Sequence, residues 1–342
     1  MQGTMKAAFF EGNGVLEIRE TEIPVLDRED EMLLKVEACS ICGTDVHVLS
    51  VPPSYPMEPG NVLGHELVGQ VVKIGPAVKK FKIGDRVVVN PNEYCGKCRY
   101  CQANLPNHCE NIVPMGLGGE GGFAEYIKAT EKMSYKIKKD LPTNLAVFAE
   151  PLACVVNGMQ KVRPNPGESV LIIGAGPIGL IFLKLMKSCG VYPIIVSEPS
   201  AVRREFAKKM GADYVVDPMK ENLEERVLEI TSVGVDLAAD VVGSQMSQAI
   251  SCARRGGTVL LFGVNTSVHP AVSQSDIVQK ELRVQGTWLA NATFPKAVAI
   301  LEAGKVELEP LITHVLPLEQ LEQGVNYMRS GEGVEVIIDF SL

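Results

Sequence analysis

Short apolar runs separated by Gly and Pro dominate the first 150 or so residues. "MLLKVEA", "LVGQVVKIG", "DRVVVNP" and "FAEYIKA" are strand-length and end in turn residues. No helix of length is expected before Pro142. The pattern then changes period. "SVLIIG" (169–174) reads as a buried strand. "PIGLIFLKLMKSCG" (177–190) reads as a helix with Pro177 in its first turn and Gly190 at its end. "PIIVSE", "DYVVD", "VDLAADVVG", "TVLLFGV" and "LRVQGTW" continue the strands. "SAVRREFAKKMGA", "ENLEERVLEITS" and "SQMSQAISCARRGG" supply helices between them. Strands alternating with helices of this length predict an α/β fold with a doubly wound parallel sheet. "FPKAVAILEAGKVE" reads as a later helix and "VEVIIDF" as a closing strand. The expected division is a β-rich domain of residues 1–153 and 291–342, with the α/β domain, 154–290, inserted into it.

One run interrupts the apolar logic. In "GNVLGHELVGQVV" (60–72), Val62, Leu63, Leu67, Val68, Val71 and Val72 read as one buried strand with His65 and Glu66 in its middle. A buried carboxylate without a partner costs several kcal/mol, so Glu66 needs a compensating charge.

Composition narrows the function. The 342 residues suit about two domains, with 46% hydrophobic and 22% charged residues. A net charge of −8 argues against a nucleic-acid surface. No apolar run reaches the roughly 18 residues that span a bilayer, and the N-terminus lacks a secretory pattern. The expectation is a cytoplasmic protein in a reducing compartment. There, nine cysteines point to metal ligation or burial rather than disulfides.

"GAGPIGL" carries Gly174, Gly176 and Gly179 in GxGxxG spacing, after a strand and at the opening of a helix. Gly174 permits the tight turn, Gly176 lets backbone approach a pyrophosphate, and Gly179 lets helix and strand pack closely. Pro177 and Ile178 lie within this cofactor-binding loop, and Val264 ends the fifth strand on the same side. Glu198 ends the second strand, where an acid accepts bonds from the ribose hydroxyls of NAD and repels the extra phosphate of NADP. Arg203 and Arg204 follow it and work the other way. The expectation is NAD rather than NADP.

Cys95, Cys98, Cys101 and Cys109 are spaced C-x2-C-x2-C-x7-C. Four thiolates this close match a closed tetrahedral zinc site, with an iron–sulfur cluster as the rival. Elsewhere, Cys42 with His65 and a carboxylate would make an open zinc site, although a lone Cys and a lone His are also common core residues.

Taken together, "MKAAFF", "CGTDVH", "GHELVGQVVKIG", "GDRVVV", the four-cysteine loop, "GGFAEY", "EPLACVVNG" and "GAGPIGL" resemble the zinc-dependent medium-chain dehydrogenases. "GHE" with "AEPL" is most similar to the sorbitol (polyol) and threonine dehydrogenase branches. The resemblance implies a GroES-like catalytic domain, a Rossmann NAD domain, one catalytic and one structural zinc, and a homo-oligomer, tetramer or dimer. It implies that Cys42, His65, Glu66 and Glu150 surround the catalytic zinc, Glu66 directly or through water, with Cys154 as a rival for Glu150. Asp45 would hold the far nitrogen of His65. Thr44 would accept the substrate proton and His47 deliver it to solvent. Because Glu150 precedes Pro151, it is expected in extended backbone.

The substrate implied is a secondary alcohol of the sugar-alcohol or polyol class, with L-threonine as the alternative. A non-enzymatic, crystallin-like member is the reading from another class. Val48 and Trp288-Leu289 stand where sorbitol dehydrogenases carry hydrogen-bonding side chains. "EPLACVV" departs from the threonine enzymes. Arg283, Asn291 and Lys296 are candidates for other polar contacts.

Overall fold

The structure is a computed structural model that describes residues 3–342. The chain forms two compact units. The first holds the residues up to Ala153, Ala290–Gly304 and Ile312–Leu342. The second holds Cys154–Leu289 and Lys305–Leu311.

The first unit is built on the strand Glu31–Ser40. It pairs antiparallel with Glu66–Ile74, with Tyr126–Thr130 and with Glu335–Asp339 in a seven-stranded sheet. Met32, Leu33, Leu34, Val36, Ala38 and Cys39 are all buried along it. Burial of consecutive residues means that both faces are covered, as the unbroken apolar run requires. A smaller sheet joins Thr4–Gly12, Val15–Glu22 and Asn61–Val62.

The run 60–72 does not form one strand. Asn61–Val62 and Glu66–Ile74 belong to different sheets. Between them Gly64 has φ +94°, and a Cβ there would stand 2.9 Å from Phe123 N and 3.0 Å from Cys39 Sγ. The turn needs glycine for its backbone and for its space. It leaves His65 immediately ahead of the strand and Glu66 as its first residue.

The second unit is a six-stranded parallel sheet. Its order is Tyr214–Val216, Ile194–Ser197, Val170–Ile173, Val235–Asp240, Ala253–Leu261, Arg283–Gly286. In chain order this is 3-2-1-4-5-6, the dinucleotide-binding arrangement. The helix expected over 244–257 is shorter, Met246–Cys252, and Ala253 already begins the next strand. Lys280 Nζ ends the helix by donating to the carbonyls of Ile250, Ser251 and Ala253 at 3.1, 2.7 and 3.2 Å. Those are orphan acceptors at a helix C-terminus. Gln274–Gln279 and Leu321–Ser330 are further helices, and Ile312–Leu316 is a further strand, parallel to Glu335–Asp339. Among the described residues no helix is long and apolar enough to cross a membrane.

Candidate active site

Cys42, His65 and Glu66 present donor atoms within 4.8 Å of one another. Cys42 is the residue before the short helix Gly43–Val48, and its backbone is fixed by Asp45. The Asp45 Oδ2 accepts from Cys42 N at 2.9 Å. His65 follows the Gly64 turn, and Glu66 is anchored by the hydroxyl of Ser40, which donates to its Oε2. Glu150 is also buried, and its charge acts on Cys42, His65 and Glu66 alike. Its backbone is not extended. It lies in the first turn of the helix Ala149–Val162, with Pro151 next to it. Proline is tolerated there because its missing N–H would have no intrahelical partner, and this outweighs the usual bias on the preceding residue. Cys154, the rival ligand, falls in the second unit.

The electrostatics of this group ask for a cation. Burial, then the charges of Glu66, Asp45 and Glu150, push the Cys42 thiol well above its ordinary range. Burial and Glu150 push Glu66 up to about 7. Burial opposes the charging of His65, but Asp45, Glu150 and Glu66 outweigh it and raise the imidazole. A divalent ion amid these donors would reverse the logic and hold thiolate, carboxylate and neutral imidazole together. His65 Nδ1 stands 3.8 Å from Asp45 Oδ1, beyond hydrogen-bond range, and neither atom has another partner. Asp45 therefore acts on His65 through charge and on Cys42 through its backbone.

Thr44 Oγ1 lies 3.6 Å from Cys42 Sγ. His47 is exposed on the same short helix, three residues on. Val48, by contrast, is fully buried in the hydrophobic core, so it faces no substrate. Arg283 and Lys296 are exposed, and the buried Asn291 Oδ1 has no partner.

Cys95, Cys98, Cys101 and Cys109 form a second cluster. Cys98 Sγ is 3.5 Å from Cys101 Sγ and 4.0 Å from Cys109 Sγ. A tetrahedron with zinc–sulfur bonds of about 2.3 Å has edges of about 3.8 Å, so the spacing fits. Backbone amides already point at the sulfurs: Cys98 N at Cys95, and Cys95 N and Asn111 N at Cys109, at 3.3–3.4 Å. Amides from Lys97 and Cys98 hold the Cys95 thiol down at about 6. Such bonds favour thiolate, the form that binds metal.

In the second unit the glycine loop behaves as its spacing requires. Gly174 has φ +109°. A Cβ on Gly179 would collide with the Gly174 carbonyl, whereas one on Gly176 would meet only open space. Gly176 caps the helix Pro177–Ser188 without a side-chain bond, so its first N–H groups are free for a pyrophosphate. Glu198 is buried beside this loop. Its Oε2 accepts from Ala175 N at 2.8 Å and its Oε1 from Ser200 N at 2.9 Å. Arg204 is not available to a ligand phosphate. It pairs with Asp217 at 2.8 Å and donates to the carbonyls of Glu198 and Pro199. Arg203 is partly buried, with an unpartnered Nε. Val264 is exposed.

Two family models match the chain: the alcohol dehydrogenase GroES-like domain over residues 28–139, and the zinc-binding dehydrogenase over 177–303. D-arabinitol dehydrogenase 1 of Uromyces fabae is 34% identical over 343 residues, covering 98% of this chain and 97% of that protein. The chain belongs to the zinc-dependent medium-chain dehydrogenases. L-threonine 3-dehydrogenase of Thermococcus kodakarensis is 35% identical over 329 residues, 94% of this chain and 93% of that one. A zinc-binding dehydrogenase of Sinorhizobium meliloti 1021, solved bound to NADP, is 32% identical with a TM-score of 0.92, over 99% of this chain and 100% of that chain. An alcohol dehydrogenase of Escherichia coli CFT073, complexed with NADH, is 29% identical with a TM-score of 0.92, over 98% and 99%.

This medium-chain dehydrogenase is an oxidoreductase of the class acting on CH–OH groups, and its two donor sets suit zinc in chemistry and spacing. Two residues near the site escape a reading of motifs. Ser40 sits two positions before Cys42, a weak signal. Glu335, brought beside the Ser40 segment by strand pairing, carries none in the local sequence.

Proposed function

We propose that this dehydrogenase oxidises a secondary alcohol of a polyol, using NAD. The observation that carries the reading is the buried group of Cys42, His65 and Glu66, with Glu150 acting on all three. Those four residues would hold the catalytic zinc, and Cys95, Cys98, Cys101 and Cys109 a structural one. Bound zinc supplies Lewis acidity toward an alcohol oxygen, and bound NAD the hydride acceptor. Thr44 Oγ1 accepts the substrate proton, and His47, exposed on the same helix, passes it to water. Glu66 and Glu150 would balance the positive charge of the bound ion. Gly174, Gly176 and Gly179 admit the nucleotide, with Pro177 and Ile178 at the helix start and Val264 beside it.

Glu198 supports NAD. Its buried charge beside Ala175 disfavours a 2′-phosphate, and of the two arginines only Arg203 is free to offset it. Similarity to D-arabinitol dehydrogenase over nearly the whole chain supports a polyol. L-threonine is the second reading, favoured by a similar identity to the Thermococcus enzyme. The strand Arg283–Gly286 ends its sheet with Val278 and Trp288 exposed nearby, which supports a homo-oligomer. The test is metal analysis together with reduction of NAD and NADP over pentitols, hexitols, simple secondary alcohols and threonine. Threonine turnover without polyol turnover would favour the second reading. A metal-free active enzyme would reject both.

A further inference from the structure

A cleft of about 610 Å³ opens in the second unit, at the end of the parallel sheet away from the glycine loop. Three of its lining residues belong to one register row: Leu237 pairs with Thr258, and Thr258 with Arg283. Val170, paired with Leu237, begins the strand that leads into Gly174. The cleft and the nucleotide loop therefore stand at opposite ends of the same strand. The volume lies within the range of small-molecule sites, roughly 300–1,000 Å³.

The cleft gathers charge that the fold does not neutralise. Lys161, Arg163, Arg254 and Arg283 line it, with Glu168 and Asp236. Asp236 is tied to Arg254 at 2.6 Å and to Ser169. Glu168 accepts from the backbone and side-chain amides of Asn165 at 2.8 and 2.9 Å. Among the described residues no carboxylate pairs with Lys161, Arg163 or Arg283. Four cations against two acids leave an excess of two positive charges, in a chain whose net charge is −8. Arg163 adds a second observation. It follows the last residue of the helix Ala149–Val162, and its N–H donates to the Met159 carbonyl at 2.8 Å. Its φ is +47°. Helices that end in this left-handed conformation usually place glycine there, because a β-carbon is strained. This chain bears that strain with an arginine that lines the cleft. Gln160 lines it too, and its Nε2 is buried with no hydrogen-bond partner. Cations without a counter-ion and a buried donor without an acceptor are both costs that a bound oxyanion removes.

We propose that this cleft is a second ligand site, separate from the catalytic one, in which Lys161, Arg163 and Arg283 bind a phosphate dianion, free or as the monoester of a small molecule. The excess of two positive charges matches the charge of a dianion. Phosphate presents acceptor oxygens on every side, and guanidinium groups meet them with paired N–H donors. Asp236 keeps Arg254 out of the binding set, so three cations are left for the ligand.

The test measures the thermal midpoint and the calorimetric affinity of the full chain with inorganic phosphate and with phenyl phosphate, a monoester that carries no alcohol for the active site. Chloride at matched ionic strength is the reference. Each titration is repeated with NAD at saturation, which fills the glycine loop. Phosphate is expected to raise the midpoint saturably beyond chloride, with or without NAD. Arg163→Gly and Arg283→Gln are each expected to bind it about 10-fold more weakly. Lys208→Gln, on the helix Ala201–Met210, should match the wild type. Without phosphate, Arg163→Gly should melt within about 2 °C of the wild type, because the relieved left-handed strain offsets the extra freedom of glycine in the unfolded chain. A loss of binding in that variant is then a loss of the site and not of the fold. Tighter binding of phenyl phosphate supports a monoester as the occupant, and tighter binding of inorganic phosphate the free ion. No saturable effect, an effect abolished by NAD, or affinities unchanged in both arginine variants would overturn the proposal.

Discussion

His65 enters the site because Gly64 turns the chain just before it. A β-carbon at 64 meets backbone at Phe123 as well as the Cys39 sulfur, and φ is positive. Gly64→Ala is therefore expected to cost about 1–3 kcal/mol through strain at that turn and to displace His65, read as a lower unfolding midpoint together with lost zinc. His65→Ala should abolish turnover but leave nucleotide affinity close to wild type, since the glycine loop lies in the other unit. Calorimetric titration with NAD checks this, and substantial residual activity would remove His65 from the donor set. Glu150 and Cys154 make a sharper comparison. Zinc content should fall in Glu150→Ala and hold in Cys154→Ala; the opposite result would make the thiol the ligand. At this scale the motif residues were legible because their chemistry is local. The four-cysteine loop announces itself by type and spacing, whereas Cys42, His65 and Glu66 stand out only through the resemblance to the dehydrogenase family. Glu335 does not, because only strand pairing with the Ser40 segment brings it near Glu66. The helical backbone at Glu150 runs against the bias that Pro151 imposes on its neighbour, because that bias is local and helix initiation overrides it.

Elements were legible where period and length were strong. The strands Val170–Ile173 and Val235–Asp240 and the helix Pro177–Ser188 are long apolar patterns with clear ends. The boundary at Cys252/Ala253 was not legible. "SCARRGG" has no breaker before its glycines, and the helix is stopped by a lysine from a later segment. Leu321–Ser330 buries Leu321, Gly324, Val325 and Met328, a helical spacing thinned by a glycine. The start of the central strands carries a pH-dependent tie. Burial works to raise the Asp236 carboxyl, but bonds from Ser169 Oγ and N and from Arg254 Nε hold it below its ordinary value. A depressed folded-state pKa stabilises above the unfolded value, near pH 4, and that stability is lost as pH falls through the folded one. Unfolding of the wild type should thus become easier below about pH 4, and Asp236→Asn should flatten that dependence while lowering stability at pH 7.

For the whole molecule the central expectation is two zinc ions per chain, measured by elemental analysis. The two should behave differently. Cys98→Ser should lower the thermal midpoint, because structural zinc contributes folding energy, and alter kcat little in whatever protein remains folded. Glu198→Ala should weaken NAD by about 1–3 kcal/mol, the order for hydrogen bonds to a charged group. Part of that loss would come from the freed Ala175 amide, so NADP should gain less than NAD loses. A wild type that prefers NADP would overturn the role given to Glu198.

The strand Glu335–Asp339 is synthesised after every other strand of its sheet, yet it lies inside it, between Glu31–Ser40 and Ile312–Leu316. A nascent chain therefore carries Cys42, His65, Glu66 and Glu150 well before the strand that pairs with the Ser40 segment. The second unit, whose parallel sheet is encoded by one continuous stretch, can close first. Long-range pairing of this kind is slow because its loop-closure entropy is met before any contact forms. In pulse-labelled refolding, amides of Val170–Ile173 should gain protection before that of Ile41, which waits for the carbonyl of Val336. During that interval the proposed metal ligands are exposed to the wrong ions as well as the right one, so the order of chain synthesis makes metal selection a problem of time as much as of affinity.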